Sequence, residues 1–418
     1  MTHTYYKNVA ESPRVAITGI GVVSAFGIGR ERFWRSISAG HSGVRAMHEL
    51  DLAHSACRVA APVPDEGLGG EDEPRRAAKV SKIAVLAARE ALADAGIGPS
   101  DVPDLGVIVG SGAGGIDVAE RQYGDYYAGD FHRVSPYAIP VSIVGIVSSE
   151  ISIAIGLRGI SHVISTGCTS STDAIGYAAS MIRHGEADVL VTGGADACVT
   201  AGMLFGFSRM RAVATKFNDR PAEASRPFDR DRDGFVLGEG AWIMTVEREA
   251  HARARGARIY AYVDGYASTC DAYHRVQMDP EGTEIVRAMQ TAIARSGRPL
   301  SEIGYVNLHG TSTQLNDAVE AQCVARLFGD HARSLCGSST KSMIGHPQGA
   351  SGAAGIVATA LGMSHDVMPP TMNLATPDPA CAGLDFIPNV ARQRRVDAAL
   401  CNCLGFGSKN SAIVLGRG

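Results

Sequence analysis

The chain has 418 residues, 45% of them apolar, with a mean hydropathy of +0.02, so it can bury a substantial core and exceeds the usual size of one compact domain. A formal charge of −4 and a pI near 6.4 exclude any global attraction to nucleic acid or to an anionic membrane, so an acidic partner must be met by a local basic patch. Residues 1–14 hold no apolar run of signal-peptide length and no later segment approaches about twenty uninterrupted apolar residues, which leads us to expect a cytoplasmic protein that neither enters a membrane nor binds nucleic acid.

Along the chain, short Val- and Ile-rich runs alternate with helical-period stretches: strand-like 15–25, helix-like 82–96, strand-like 105–111. This is the grammar of an α/β fold with buried parallel strands. Segment 116–140 interrupts it with a cluster of aromatic residues and reads as an inserted cap or a dimer-contact region. The alternation restarts at 259–268 and continues with a helix over 284–297, a strand over 305–310 and a closing strand pair near 399–415. The Arg-rich stretch 250–258 is the expected junction, which divides the chain into an N-terminal half, 1–255, and a C-terminal half, 256–418. Nine scattered cysteines without paired zinc-type spacing read as reduced thiols, and no metal or cofactor is expected. The glycine-rich turn at 110–115 is followed by no convincing ribose-binding acid, which argues against a dinucleotide site.

Residues 162–167 read as a strand and 168–185 as a helix, which places Cys168 at a strand-to-helix elbow. Free N–H groups and the positive end of the helix dipole should lower its pKa and prepare a nucleophile. Two histidines stand beside Gly-rich turns: His309 in HGTST directly after an apolar strand, and His346 in KSMIGHPQGASGAAG, which begins at Lys341. Imidazoles can donate N–H bonds to a thioester oxygen that gains negative charge, as a developing enolate requires.

GCTSS around Cys168, HGTST around His309, KSMIGH from Lys341 to His346, and GFGSKN after Leu404 together resemble the Cys-His-His signature of the elongating β-ketoacyl-acyl carrier protein synthases. SRPFDRDRDGFVLGEGA (225–241) and CDAYH (270–274) extend the likeness over most of the chain. The resemblance implies a thiolase-like five-layered αβαβα fold built from two similar halves and assembled as a dimer, acting on acyl and malonyl thioesters presented by acyl carrier protein. It implies that Cys168 accepts the acyl chain and that His309 and His346 hold the malonyl thioester oxygen during decarboxylation. Backbone N–H groups of Cys168 and Phe406 would face the condensation oxyanion. Lys341 would order the site through an ion pair with a carboxylate at the position of Glu320, and Phe406 would gate acyl entry.

Under the same resemblance Asp271 and His274 lie in a second mobile loop facing the gate, and Thr311 and Thr313 join them in contacting substrate. Ala113 falls at the bend of the acyl tunnel and Ala138 near an aromatic gate contributed by the partner subunit. Arg75, Arg76, Lys79 and Lys82, where PRRAAKVSK opens a helix, would meet the acidic carrier protein. The chain departs from the family's Gly-Phe-Gly-Gly-Thr-Asn by reading Gly405-Phe406-Gly407-Ser408-Lys409-Asn410. Gly167 and the run 269–274 look closer to aromatic-polyketide ketosynthases, whose active subunit pairs with a homologous chain lacking the nucleophile. The protein is therefore read as a homodimer or as half of such a heterodimer.

Overall fold

The computed structural model describes residues 13–69 and 77–418. Strands β1 (Val15–Ser24), β2 (Gly106–Gly110), β3 (Ser161–Ile164), β4 (Val189–Ala197) and β5 (Leu237–Arg248) belong to the first half. Strands β6 (Ala261–Cys270), β7 (Ile303–Asn307), β8 (Cys336–Ser338), β9 (Ala398–Gly405) and β10 (Lys409–Arg417) belong to the second. The first run has the order β3-β2-β4-β5-β1 and the second β8-β7-β9-β10-β6. Starting from the outer end, each run has two parallel pairings followed by two antiparallel ones. The same design is thus built twice, and antiparallel pairing of Val15–Ile17 with Ala261–Val263 joins the runs.

Helices α1 (Lys79–Ala95) and α2 (Ile146–Ile155) cover one face of the first run. Helices α4 (Thr283–Ser296) and α5 (Gln314–Phe328) cover the corresponding face of the second. Between the runs lie α3 (Ser170–His184) and α6 (Ser351–His365), which complete an αβαβα stack. The sequence explains the difference between outer and inner helices. In α4 the buried residues Ile285, Ala288, Met289, Ala292 and Ile293 form one apolar stripe. Helix α6 is buried from Ser351 to Met363 and is rich in Gly and Ala, as a helix enclosed on all sides by sheets and helices must be. At Gly352 a Cβ would collide with the Thr172 hydroxyl, so glycine is what lets α6 approach α3.

The interruption expected at 116–140 is observed as a helix, Ile116–Tyr127, a short 3-10 turn, Phe131–Arg133, and a second short helix, Ala138–Ser142. Its aromatic side chains do not turn inward. Tyr123, Tyr126, Tyr127, Phe131 and Tyr137 are exposed, Tyr127 by 82%, together with Ile139 and Ile143. Strand β3 is an end strand whose residues are exposed or half-buried. No described helix is long and apolar enough to cross a membrane.

Candidate active site

The elbow around Cys168 is closed by its own side chains. After β3, Gly167–Thr169 form one 3-10 turn and α3 starts at Ser170. The Ser170 hydroxyl accepts from Thr166 N at 2.9 Å and donates to Gly167 O at 2.5 Å, with Gly167 at a φ of 70° that favours glycine. Gly405 lies against this turn: a Cβ there would stand 3.3 Å from Cys168 N, so its absence leaves room beside that N–H.

Cys168 is buried, and here the sequence expectation is overturned in direction. Burial pushes the thiol up to about 11, and the Phe406 N–H and the Lys341 charge offset that only in part. A helix terminus lowers a thiol pKa where water still reaches the sulfur; in this enclosed pocket the cost of desolvating a thiolate is larger.

His309 follows β7 and His346 follows the short helix Lys341–Ile344; their rings meet edge to face, 5.4 Å apart. Burial and the nearby Lys341 charge hold both imidazoles well below their ordinary pKa, hence neutral at physiological pH. Nδ1 of His346 lies 2.7 Å from the Ser351 hydroxyl, and Nδ1 of His309 lies 3.7 Å from Cys403 Sγ. With those atoms engaged, each ring has Nε2 free for substrate.

Lys341 and Glu320 are both buried, but the expected ion pair between them is not formed. Glu320 accepts from His309 N at 2.7 Å, Gly310 N at 2.8 Å and Asn402 Nδ2 at 2.6 Å. It therefore serves as a backbone clamp that fixes the His309 turn, and burial pushes its carboxyl up to about 7. The Lys341 ammonium makes no ion pair among the described residues. Burial lowers its pKa, while Cys403, Glu320, Cys168 and Asp317 act on it through their fields and raise it. Three N–H donors satisfy the Glu320 carboxylate without a cation, and the lysine charge also acts on Cys168, His309 and His346.

Cys168, His309, His346, Thr311, Thr313 and Phe406 line one cavity of about 330 Å³. Lys341, Glu320, Asp271, His274, Ala113 and Ala138 do not line it. Phe406 is 36% exposed at its mouth. The loop carrying Phe406 and the loop of Asp271 and His274 are tied together by Ser408, whose hydroxyl accepts from Tyr273 N at 3.2 Å and His274 N at 3.1 Å and donates to His274 O at 2.9 Å. Asn410 Nδ2 adds a bond to Asp271 Oδ1 at 2.6 Å. Asp271 and His274 are thus hydrogen-bonded to the loop that carries Phe406.

Ala113 is packed against the cluster containing Leu204, Phe217 and Phe235, of which Phe235 lines the cavity, and its backbone N–H donates to the buried Asp196 carboxylate at 3.1 Å. Ala138 opens the short helix of the exposed 116–143 region. Lys79, expected at the surface, turns inward instead. Its ammonium lies 2.9 Å from the buried Glu239 and 3.3 Å from Asp65, and a buried carboxylate so placed requires a counter-charge. Lys82 is half-buried on the same helix, and Arg75 and Arg76 lie outside the described residues.

Four positioning groups escaped the sequence reading. Asp196 accepts from Gly112 N, Ala113 N, Gly349 N and the Ser111 hydroxyl, knitting two turns together behind Cys168. Asp317 accepts from Thr311 N, Ser312 N and Phe228 N and so fixes the HGTST turn. Ser351 and Cys403 address the histidines. Asp317, an acid one turn into the helix after HGTST, and Ser351, five residues after His346, lie close in sequence to what they hold; Asp196 and Cys403 are distant from theirs.

The comparisons with known proteins agree with this geometry. The family model described as "Beta-ketoacyl synthase, N-terminal domain" matches residues 12–252, and "Beta-ketoacyl synthase, C-terminal domain" matches 260–375. The chain belongs to the β-ketoacyl synthase family. It is 39% identical to the 3-oxoacyl-[acyl-carrier-protein] synthase 2 of Coxiella burnetii over 97% of this chain and 99% of that one. It is also 39% identical to the tetracenomycin polyketide synthase ketoacyl synthase alpha subunit of Streptomyces glaucescens, over 97% of each. A solved type II polyketide acyl-carrier protein in complex with its ketosynthase bound to a hexaketide superposes with a TM-score of 0.90 at 30% identity, over 98% of this chain and 100% of that one. This β-ketoacyl synthase is accordingly an acyltransferase-type condensing enzyme with the thiolase-like fold.

Proposed function

We propose that this β-ketoacyl synthase joins an acyl group held on Cys168 to malonyl-acyl carrier protein by decarboxylative Claisen condensation, elongating a fatty-acid or polyketide chain in the cytoplasm. The observation that carries the residue roles is the convergence of a buried thiol and two neutral imidazoles on one cavity wall. A thiol at about 11 holds almost no resting thiolate, so its proton leaves as sulfur attacks the incoming thioester. The Cys168–acyl bond forms, the carrier's thioester bond breaks, and the proton ends on the departing thiol.

When malonyl thioester then enters, its carbon–carboxylate bond breaks and the electron pair moves into an enolate. With Nδ1 of His346 at the Ser351 hydroxyl and Nδ1 of His309 facing Cys403, the tautomer that carries its proton on Nε2 offers an N–H from each ring to the enolate oxygen. The enolate carbon attacks the acyl-Cys168 carbonyl, whose oxyanion is received by the N–H groups of Cys168 and Phe406. Collapse expels the Cys168 sulfur as a thiolate, which takes a proton from water to restore the thiol, and the β-ketoacyl thioester leaves; the carbon dioxide departs when the enolate forms.

Carrier-protein recognition is assigned to Arg75, Arg76 and Lys82, and the ion pairs of the Lys79 ammonium with Glu239 and Asp65 argue against its taking part. The exposed aromatic face of 116–143 and the open edge of β3 support pairing with a second homologous subunit, whether a copy of this chain or a partner without the nucleophile. The test is incubation with malonyl-carrier protein and a series of acyl-carrier proteins, read by product mass. Products one two-carbon unit longer, with one carbon dioxide released, are expected; carbon dioxide release with no elongated product from any acyl donor would refute the assignment.

A further inference from the structure

The cavity wall carries a polar group that none of these steps uses. Gln348 lines the cavity beside Cys168, His309 and His346, and its Nε2 is shielded from solvent with no hydrogen-bond partner among the described residues. The residue stands at a φ of 43° at the start of the 3-10 turn Gln348–Ala350, which packs against the turn bearing Cys168. From behind, Gly349 N donates to the buried Asp196 at 2.6 Å, and the same carboxylate holds Gly112 N at 2.8 Å. The turn is therefore held from behind, so a rotation of the Gln348 side chain, with the backbone staying in place, is what presents its amide to a bound chain.

A primary amide offers two N–H donors, and leaving one unpaired away from water is unfavourable. A saturated hydrocarbon chain passing this wall leaves it unpaired; a chain with an oxygen acceptor does not. Asp233, a second cavity-lining residue with an unpartnered oxygen, can only accept hydrogen bonds when ionised and so cannot serve an acyl carbonyl. Because Gln348 adjoins the nucleophile's own turn, the acceptor it reaches must lie close to the thioester end of the chain.

We infer that Gln348 selects acyl chains that carry an oxygen acceptor near the thioester, a β-carbonyl in particular, over fully reduced chains of the same length. This rests on the condensing-enzyme reading and names its substrate class. A β-ketoacyl thioester is the immediate product of one condensation, so an enzyme with this preference can take back its own product without prior reduction. The contact is a hydrogen bond alone, and no bond is made or broken at Gln348.

The experiment measures acylation of Cys168 by intact-protein mass, without malonyl donor, using octanoyl- and 3-oxooctanoyl-N-acetylcysteamine. The wild-type kcat/KM should favour the 3-oxo thioester by about tenfold, the discrimination expected of one well-placed hydrogen bond. Gln348→Leu should bring the ratio close to one, and Gln348→Glu, which keeps the shape but offers only acceptors, should disfavour the 3-oxo chain further. Thermal unfolding of each variant establishes that it is folded, and the wild-type ratio stands independently of either. A wild-type ratio near one, or an unchanged ratio in a folded variant, overturns the proposal. Failure of both thioesters to acylate wild-type Cys168 would instead overturn the condensing-enzyme reading beneath it.

Discussion

Ser408 offers the most direct test of how access to Cys168 is controlled. Replacing it with alanine keeps a Cβ at its φ of 63° and removes only the hydroxyl that accepts from Tyr273 N and His274 N and donates to His274 O. Each such bond contributes about 0.5–1.5 kcal/mol net, and the low end applies because residues 273 and 274 are exposed and water can replace the lost partner. The clasp between the two loops should therefore weaken by about 1–2 kcal/mol, a factor of roughly 5–30 in the population of the open gate. Cys168 is buried behind Phe406, so alkylation must pass through that open form. Iodoacetamide modification of Cys168, followed by peptide mass, should accelerate by the same factor of roughly 5–30, and amide exchange over residues 271–277 should quicken in parallel. Unchanged alkylation together with unchanged exchange would refute the idea that Ser408 holds the gate.

The remaining expectations concern the nucleophile, its histidines and the inward lysine. Cys168→Ala should abolish acyl-enzyme formation, whereas Cys168→Gln should still release carbon dioxide from malonyl-carrier protein; acyl-enzyme in the alanine variant would remove Cys168 from its role. His309→Ala and His346→Ala should each slow malonyl decarboxylation by on the order of 10²–10³ while affecting acyl transfer less, and a normal carbon dioxide burst in either would contradict the shared enolate site. Because only the thiolate is alkylated and the thiol is pushed up to about 11, the intrinsic alkylation rate of Cys168 should rise about tenfold per pH unit from neutrality up to that value; a plateau near ~8.5, where a free cysteine levels off, would exclude the raised pKa. Lys79→Met should lower stability by about 3–5 kcal/mol by leaving Glu239 buried without its cation, so unaltered denaturant unfolding accompanied by a raised KM for carrier-bound substrate would return Lys79 to the carrier surface.

The local pattern of the sequence carried the elements and their chemistry. Alternating Val/Ile runs and helical-period stretches gave the α/β layering, because burial of parallel strands leaves so strong an imprint on composition. Cys168, His309 and His346 were identifiable because each stands in a glycine-framed turn that serves no evident packing purpose. Tertiary structure decided the energetics and the direction of side chains. The field of the α3 terminus argued for a lowered thiol pKa, but water is excluded from Cys168 by segments remote in sequence, and desolvation prevails. Lys79 followed a basic run and still turned inward, since Glu239, 160 positions away in the chain, is brought under it by the packing of β5 near α1. Glu320 matched an ion-pair position yet received three N–H groups instead, because the fold of the HGTST turn and β9 delivers them. Sequence spacing settles which residue types recur on a strand, helix or turn; which charge is desolvated, and by whom it is met, depends on contacts between distant segments that only the folded chain creates.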